Sequence, residues 1–89
     1  IRLKLHLTNW LYERGRYEAA YKQCENICAR YPLEETAHLL YMQICDKLGL
    51  DFLVRKQYQM LDILMQKEFG EKPSPEIIKW YQQWEQDNL

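Results

Sequence analysis

Three cysteines and two histidines are the side chains best suited to chemistry in this sequence. Cys24 and Cys28 are four positions apart, so a helix would place both thiols on one face. A zinc site would need two further ligands nearby, and the other candidates, Cys45, His6 and His38, do not repeat the spacing of a zinc motif. We therefore expect Cys24 and Cys28 to be small buried apolar side chains, with no metal and no cofactor.

Catalytic motifs are not found in the sequence. It contains no glycine-rich phosphate loop, no GxSxG and no HExxH pattern. His6 and His38 have no partner motif, and we expect each to be a surface or half-buried histidine. The acidic residues are spread along the expected helices as solvated charges. We predict that the chain is not an enzyme.

Composition and charge are those of one small soluble domain. The 89 residues are 47% hydrophobic and 28% charged, and the net charge of −1 argues against a general affinity for phosphate backbones. Three cysteines are an odd number, and no apolar run approaches the ~20 residues of a membrane span. Both features favour the reducing cytoplasm. Because the chain begins at Ile1 in a helical pattern, we expect it to be cut from a longer polypeptide.

Apolar residues at three- and four-residue spacing predict five helices. The helices cover about residues 2–14, 17–30, 34–48, 51–69 and 75–87. Gly15, Gly49 and Gly70 each end a helix, and Pro32 ends the second one. Ser74 is the expected N-cap of the fifth helix.

The apolar positions also predict which helix faces are buried. On the first helix the expected inward stripe consists of Leu3, Leu7, Trp10 and Leu11. On the fourth helix the apolar positions, Met60 among them, cover a wide arc, which is typical of a helix packed on two sides.

An internal repeat relates the first half of the chain to the second. The residues that follow Gly15 match those that follow Gly49 at the same offsets, with Ala20, Cys24 and Ile27 against Val54, Tyr58 and Leu61. The period, from Gly15 to Gly49, is 34 residues, and a period of this length indicates stacked helix-turn-helix units. We predict one all-α domain over residues 1–89: a right-handed array of two helical hairpins, repeats 1–34 and 35–68, with a capping helix at 75–87.

The sequence GRYEAAYKQCENICARYP, residues 15–32, resembles the second half of a tetratricopeptide repeat. Its glycine, its Tyr-Glu-Ala-Ala block and its closing proline have the spacing of that family. The front half departs from the family, because Lys4, Thr8 and Leu11 replace the usual Trp, Gly and Tyr.

A narrower resemblance over residues 15–81 is to the bacterial transcriptional activator domain, the helical-repeat module of SARP-type regulators. The matching positions are Pro32, Glu35, Met42, Gly49, Gln57, Tyr58, Glu68, Gly70, Pro73, Ser74, Pro75, Glu76 and Tyr81. This resemblance implies a longer regulator with an N-terminal winged-helix DNA-binding domain. It also implies that the present chain packs on that domain, helps dimerisation or contacts RNA polymerase, and that DNA is bound only through the domain outside this chain.

The repeat also predicts a binding surface. In stacked helix pairs the first helix of each pair lines a concave groove, and the off-core positions of these helices are Leu5, Asn9, Tyr12, Leu39, Gln43 and Asp46. We predict a shallow groove for a peptide or a helix, unless further N-terminal helices cover it. Trp80 on the last helix is either an exposed interface anchor or folds over the third or fourth helix.

Three functions compete at this point. The first is a protein-contact module of a transcription regulator, which docks through this groove or through the segment 1–33, where Lys and Arg outnumber Glu. The second is a general adaptor that holds an unrelated peptide. The third, direct binding of nucleic acid, would require strong salt-dependent affinity for duplex DNA, which we do not expect.

Overall fold

Five α-helices form the part of the chain that the computed structural model describes, which is the backbone of residues 2–89 and the side chains of residues 4–89. The helices are α1 (Arg2–Glu13), α2 (Tyr17–Arg30), α3 (Glu35–Lys47), α4 (Asp51–Phe69) and α5 (Pro75–Asp87). No strand occurs among these residues, and the predicted all-α class is confirmed. The predicted bounds agree with the structure to within one residue, and Ile1 lies outside the described residues.

The two inter-helix turns within the hairpins have the same geometry. Gly15 and Gly49 have φ angles of +75° and +73°, which L side chains rarely adopt. After each glycine, the next amide donates to the carbonyl oxygen five residues back at 2.9 Å, which is the long bond of a Schellman motif. A Cβ atom at either glycine would meet nothing within 4 Å, so the backbone angle and not the available space requires glycine here.

Helix α3 lies at the centre of the packing. Successive helices pack together, α1 on α2, α2 on α3 and α3 on α4. The overall extents of 35 × 32 × 18 Å correspond to a thickness of two helix layers. The side chains of residues 37–42 on α3 are all buried without a break, so this part of α3 is covered around its whole circumference. None of the described helices is long and apolar enough to cross a membrane.

The fifth helix packs its apolar face on the second hairpin. Its side chains Ile77, Tyr81 and Trp84 are all buried. The ring of Tyr81 stacks on Tyr58 of α4, with centroids 3.9 Å apart and planes at 1°. The Arg55 guanidinium lies 4.9 Å from the centre of the Trp84 ring. α5 therefore covers α4, as its spacing predicted.

The predicted inward stripe of α1 is wrong for two of its four members. Leu7 is 48% exposed and Trp10 is 46% exposed, because α1 has α2 as its main neighbour and its other flank is open. The Arg14 guanidinium lies 4.1 Å from the Trp10 ring and covers part of it. Leu11 does pack against the core, and the side chain of Leu3 lies outside the described residues.

Candidate protein-binding surfaces

Helices α1, α3 and α5 together carry the residues that the sequence predicted to bind a partner. We call this surface the front face, and its residues are Leu5, Asn9, Tyr12, Leu39, Gln43, Asp46 and Trp80. Asp46 of α3 accepts a hydrogen bond from the Trp84 indole N–H of α5 at 2.8 Å. Trp84 in turn stacks on Trp80, with centroids 6.4 Å apart. Burial raises the pKa of Tyr12 of α1, with smaller contributions from Tyr17 and the Asp46 carboxylate.

The members of the front face differ in how much of each side chain reaches solvent. Asn9 is exposed and donates to the Glu13 carboxylate at 2.8 Å. Gln43 and Trp80 are partly exposed. Leu5 packs against the core, and Leu39 is only 9% exposed because it lies in the part of α3, residues 37–42, that is covered on all sides. Leu39 therefore supports the front face from beneath, and the polar and aromatic members form its outer surface.

A second surface, which the sequence did not predict, is an open groove between α2 and α4. We call it the α2–α4 groove; its volume is about 670 Å³. His38 and Tyr41 of α3 contribute to its lining, Glu25 and Cys28 lie on the α2 side, and the α4 side runs from Leu53 to Lys67. The front face and this groove use different residues of α3.

Exposed apolar side chains on α4 border this groove. Met60 is 53% exposed and Ile63 is 68% exposed. The prediction that the whole apolar arc of α4 is packed is therefore wrong on this side, because no other described helix covers it. In the sequence, the wide arc of apolar positions on α4 is the signal that could have indicated a binding surface along this groove.

His38 is buried, only 6% exposed, and not the surface or half-buried residue that the sequence predicted. Its Nε2–H donates to the Pro32 carbonyl oxygen at 2.7 Å, and its Nδ1 accepts from the Gln57 side-chain amide at 2.6 Å. These bonds connect the α2–α3 loop, α3 and α4. Burial lowers the pKa of His38. Cys28, the Pro32 carbonyl and Glu35 raise it by more than burial lowers it, so the pKa of His38 is raised overall.

The three cysteines lie in different surroundings. Cys24 and Cys45 are fully buried, and the Cys24 thiol donates to the Ala37 carbonyl oxygen at 3.3 Å. Burial raises the pKa of Cys45 to about 11. Cys28 packs against the core but is only partly buried and lines the α2–α4 groove, so the prediction of a buried apolar role is confirmed for Cys24 and only in part for Cys28.

The Cys28 thiol is acidic for a cysteine. Interaction with the neighbouring Cys24 thiol lowers its pKa to about 6, and the His38 side chain also lowers it, against the opposing effect of burial. The same interaction with Cys28, together with burial, raises the pKa of Cys24. Among the residues with described side chains, no group of three or more His, Cys, Asp or Glu is arranged to hold a metal ion.

Comparison with known proteins gives one match. A sequence model described as the bacterial transcriptional activator domain matches residues 2–83, which is nearly the whole chain. No curated protein and no solved structure is significantly similar to this chain.

Proposed function

The chain belongs to the bacterial transcriptional activator domain family, and we propose that it is the protein-contact module of a transcription regulator, whose front face docks on the regulator's own winged-helix DNA-binding domain. The family is a transcription-regulator domain and not an enzyme family. The module works in the cytoplasm, and DNA is reached only through the winged-helix domain.

One observation carries the choice of surface: the hydrogen bond from Trp84 to Asp46 and the stacking of Trp84 on Trp80 join α3 and α5 at the front face. These two contacts restrain Trp80, a partly exposed tryptophan, before any partner arrives. Rigid aromatic side chains of this kind supply much of the binding energy at protein interfaces. A face fixed in advance loses little side-chain entropy when it binds.

Two side-chain amides of the front face give it a means of selecting its partner. The amides of Asn9 and Gln43 lie at corresponding positions of the two hairpins, one repeat apart. Each amide can both donate and accept hydrogen bonds. A partner that matches both amides and covers Trp80 would be held in one register.

The test is a calorimetric titration of this domain with the isolated winged-helix domain of the same regulator. The double variant Asn9→Arg, Trp80→Ala should bind at least about tenfold more weakly, because it removes the anchor and adds bulk and charge to the rim. The matched control is Asn26→Arg, Trp10→Ala, which makes the same exchanges at exposed positions away from the front face. Substitution of Leu39 is unsuitable, because that side chain is buried and its loss would destabilise the fold as well as change the surface.

Two results would contradict the proposal. One is unchanged affinity in a front-face variant whose circular dichroism shows it to be folded. The other is an equal loss of affinity in the control, which would show that the exchanges act through stability and not through contact.

A further inference from the structure

We infer that the α2–α4 groove is a second docking site, and that its partner is an amphipathic helix with acidic residues along the edge that faces α4. This site shares no residue with the front face, so it does not depend on the docking proposed above.

The first argument is the solvent-facing stripe of α4. Its members are Phe52, Lys56, Met60, Ile63 and Lys67, at spacings of four, four, three and four residues, which place them on one side of the helix. The three apolar side chains are 71%, 53% and 68% exposed. A surface helix normally presents polar residues to water, so three exposed apolar side chains on one side of α4, of which Met60 and Ile63 line the groove, indicate a site of interaction.

The second argument is the length of the groove. The α4 wall extends from Leu53 to Lys67, which is about 21 Å, or roughly four turns of a helix. A groove this long and open to solvent fits a polypeptide better than a compact small molecule. An amphipathic helix can place one apolar side chain per turn into such a groove.

The third argument is charge. The exposed stripe carries two lysines and no acidic residue. Lys56 and Lys67 lie roughly three turns apart, which corresponds to about 17 Å along the axis of α4. Lysine stems can lie on the apolar surface while their ammonium groups reach a partner's carboxylates. The partner should therefore carry acidic residues at a matching separation on the edge next to α4.

The α2 wall of the groove determines which edge of the partner helix faces α4. Glu25 of α2 lies there, and its carboxylate accepts from the Tyr21 hydroxyl at 3.4 Å. The partner's edge next to α2 should accordingly be neutral or basic. One carboxylate among so few lysines also makes the groove a poor site for a phosphate backbone, which requires a clear surplus of positive charge.

The experiment is a display selection on the folded domain. The probe is a library of helical peptides of about 18 residues, long enough to follow the groove, with a fixed leucine face and Glu, Gln or Lys randomised along both edges. We expect at least about fivefold enrichment of Glu over Lys along one edge, at positions about three turns apart. The strongest binders are then synthesised and measured by fluorescence anisotropy.

Variants separate the groove from the rest of the surface. Ile63→Asp should reduce the affinity of the selected peptide at least about tenfold, because it puts a charge into the apolar contact. Lys56→Glu with Lys67→Glu should weaken the acidic peptide and strengthen its Glu→Lys counterpart. The matched control, Lys72→Glu with Lys79→Glu, reverses two exposed lysines outside the groove and should leave both affinities within about twofold.

The inference is overturned if the selection enriches no peptide, if it favours Lys along both edges, or if the binders are insensitive to Ile63→Asp. A further contrary result would be a dimer of the free domain in sedimentation equilibrium that Ile63→Asp dissociates, because the groove would then hold a second copy of the chain. A failed titration with the winged-helix domain would leave this result unaffected, since that docking uses the other face.

Discussion

The indole N–H of Trp84 donates to the Asp46 carboxylate at 2.8 Å and so ties α5 to α3. The Trp84 ring is only 4% exposed, and a buried indole N–H that lacks an acceptor destabilises a fold. Together with the stacking of Tyr81 on Tyr58, this bond holds α5 against the second hairpin. It also sets the position of Trp80, which stacks on Trp84.

Replacement of Trp84 by phenylalanine should lower the free energy of unfolding by about 1–3 kcal/mol, because the ring is shortened in the core and a charge-assisted hydrogen bond is lost. Urea denaturation followed by circular dichroism measures this. The matched control is Trp10→Phe on the open flank of α1, where we expect a change within about 0.5 kcal/mol. Equal effects at the two positions would show that the Asp46 bond contributes nothing.

The start of α5 is held by the Glu35 carboxylate and not by the Ser74 side chain. Ser74 occupies the N-cap position, as the sequence predicted, but its side chain makes no capping hydrogen bond. Instead the Ser74 backbone N–H donates to the Glu35 carboxylate at 2.7 Å, across from the first turn of α3. A carboxylate bound to a backbone amide is a strong hydrogen bond, so Glu35 is the group that anchors the start of α5.

Glu35→Ala should therefore destabilise the domain by about 1–2 kcal/mol, whereas Ser74→Ala should cost less than about 0.5 kcal/mol. Thermal or urea unfolding of the two variants compares them directly. Glu34→Ala is the control, since it removes a neighbouring carboxylate that makes no such bond to α5. A larger loss for Ser74→Ala than for Glu35→Ala would contradict this assignment.

The helices and turns could be predicted from the sequence because their signals are local. Gly15 and Gly49 are required by a left-handed backbone angle at a single residue, and three-four spacing is a property of one helix alone. Which flank of a helix is covered depends on its neighbours. For this reason Trp10 and Met60, both at apolar positions of their helices, were predicted to be buried and are exposed.

The candidate surfaces likewise combine features that are local in the sequence with contacts between helices that the sequence does not reveal. The internal repeat pairs Tyr12 of α1 with Asp46 of α3 at corresponding positions, and that both belong to one binding surface stays a prediction. The repeat could not show that Gln57 of α4 reaches His38, because that contact joins two helices and its spacing follows no motif. Thr8 was recognised only as a departure from the repeat family, yet it is fully buried, with its hydroxyl oxygen 2.9 Å from the Lys4 carbonyl oxygen.

Ala20 provides a sharp test of packing between the helices. Its side chain is fully buried within the core cluster, whereas the adjacent Ala19 is exposed. Ala20→Leu inserts a larger side chain where there is no space, and it should cost about 1–3 kcal/mol of unfolding free energy. Ala19→Leu makes the same chemical change on the surface and should stay within about 0.5 kcal/mol. Similar stabilities for the two variants would contradict tight packing at Ala20.

The α2–α4 groove should contain the one reactive thiol of the protein. The neighbouring Cys24 thiol and the His38 side chain lower the pKa of Cys28 to about 6 despite the opposing effect of burial. The thiolate is the nucleophilic form of cysteine, and its fraction grows as the pH rises through this value. At pH 7 Cys28 should be largely thiolate, while Cys45, with its pKa raised to about 11, remains protonated and buried.

Alkylation by iodoacetamide, mapped by mass spectrometry, should therefore modify Cys28 at least about tenfold faster than Cys24 or Cys45 at pH 7, with a half-maximal rate near the lowered pKa. In urea the three cysteines become equivalent, and the alkylation rate of each should be half-maximal at a pH of about 8.5, the pKa of an unfolded cysteine. The unfolded sample is the internal control, because it shares every residue and lacks only the fold. If the alkylation rate of Cys28 in the folded protein were also half-maximal at a pH of about 8.5, neither Cys24 nor His38 would be stabilising its thiolate.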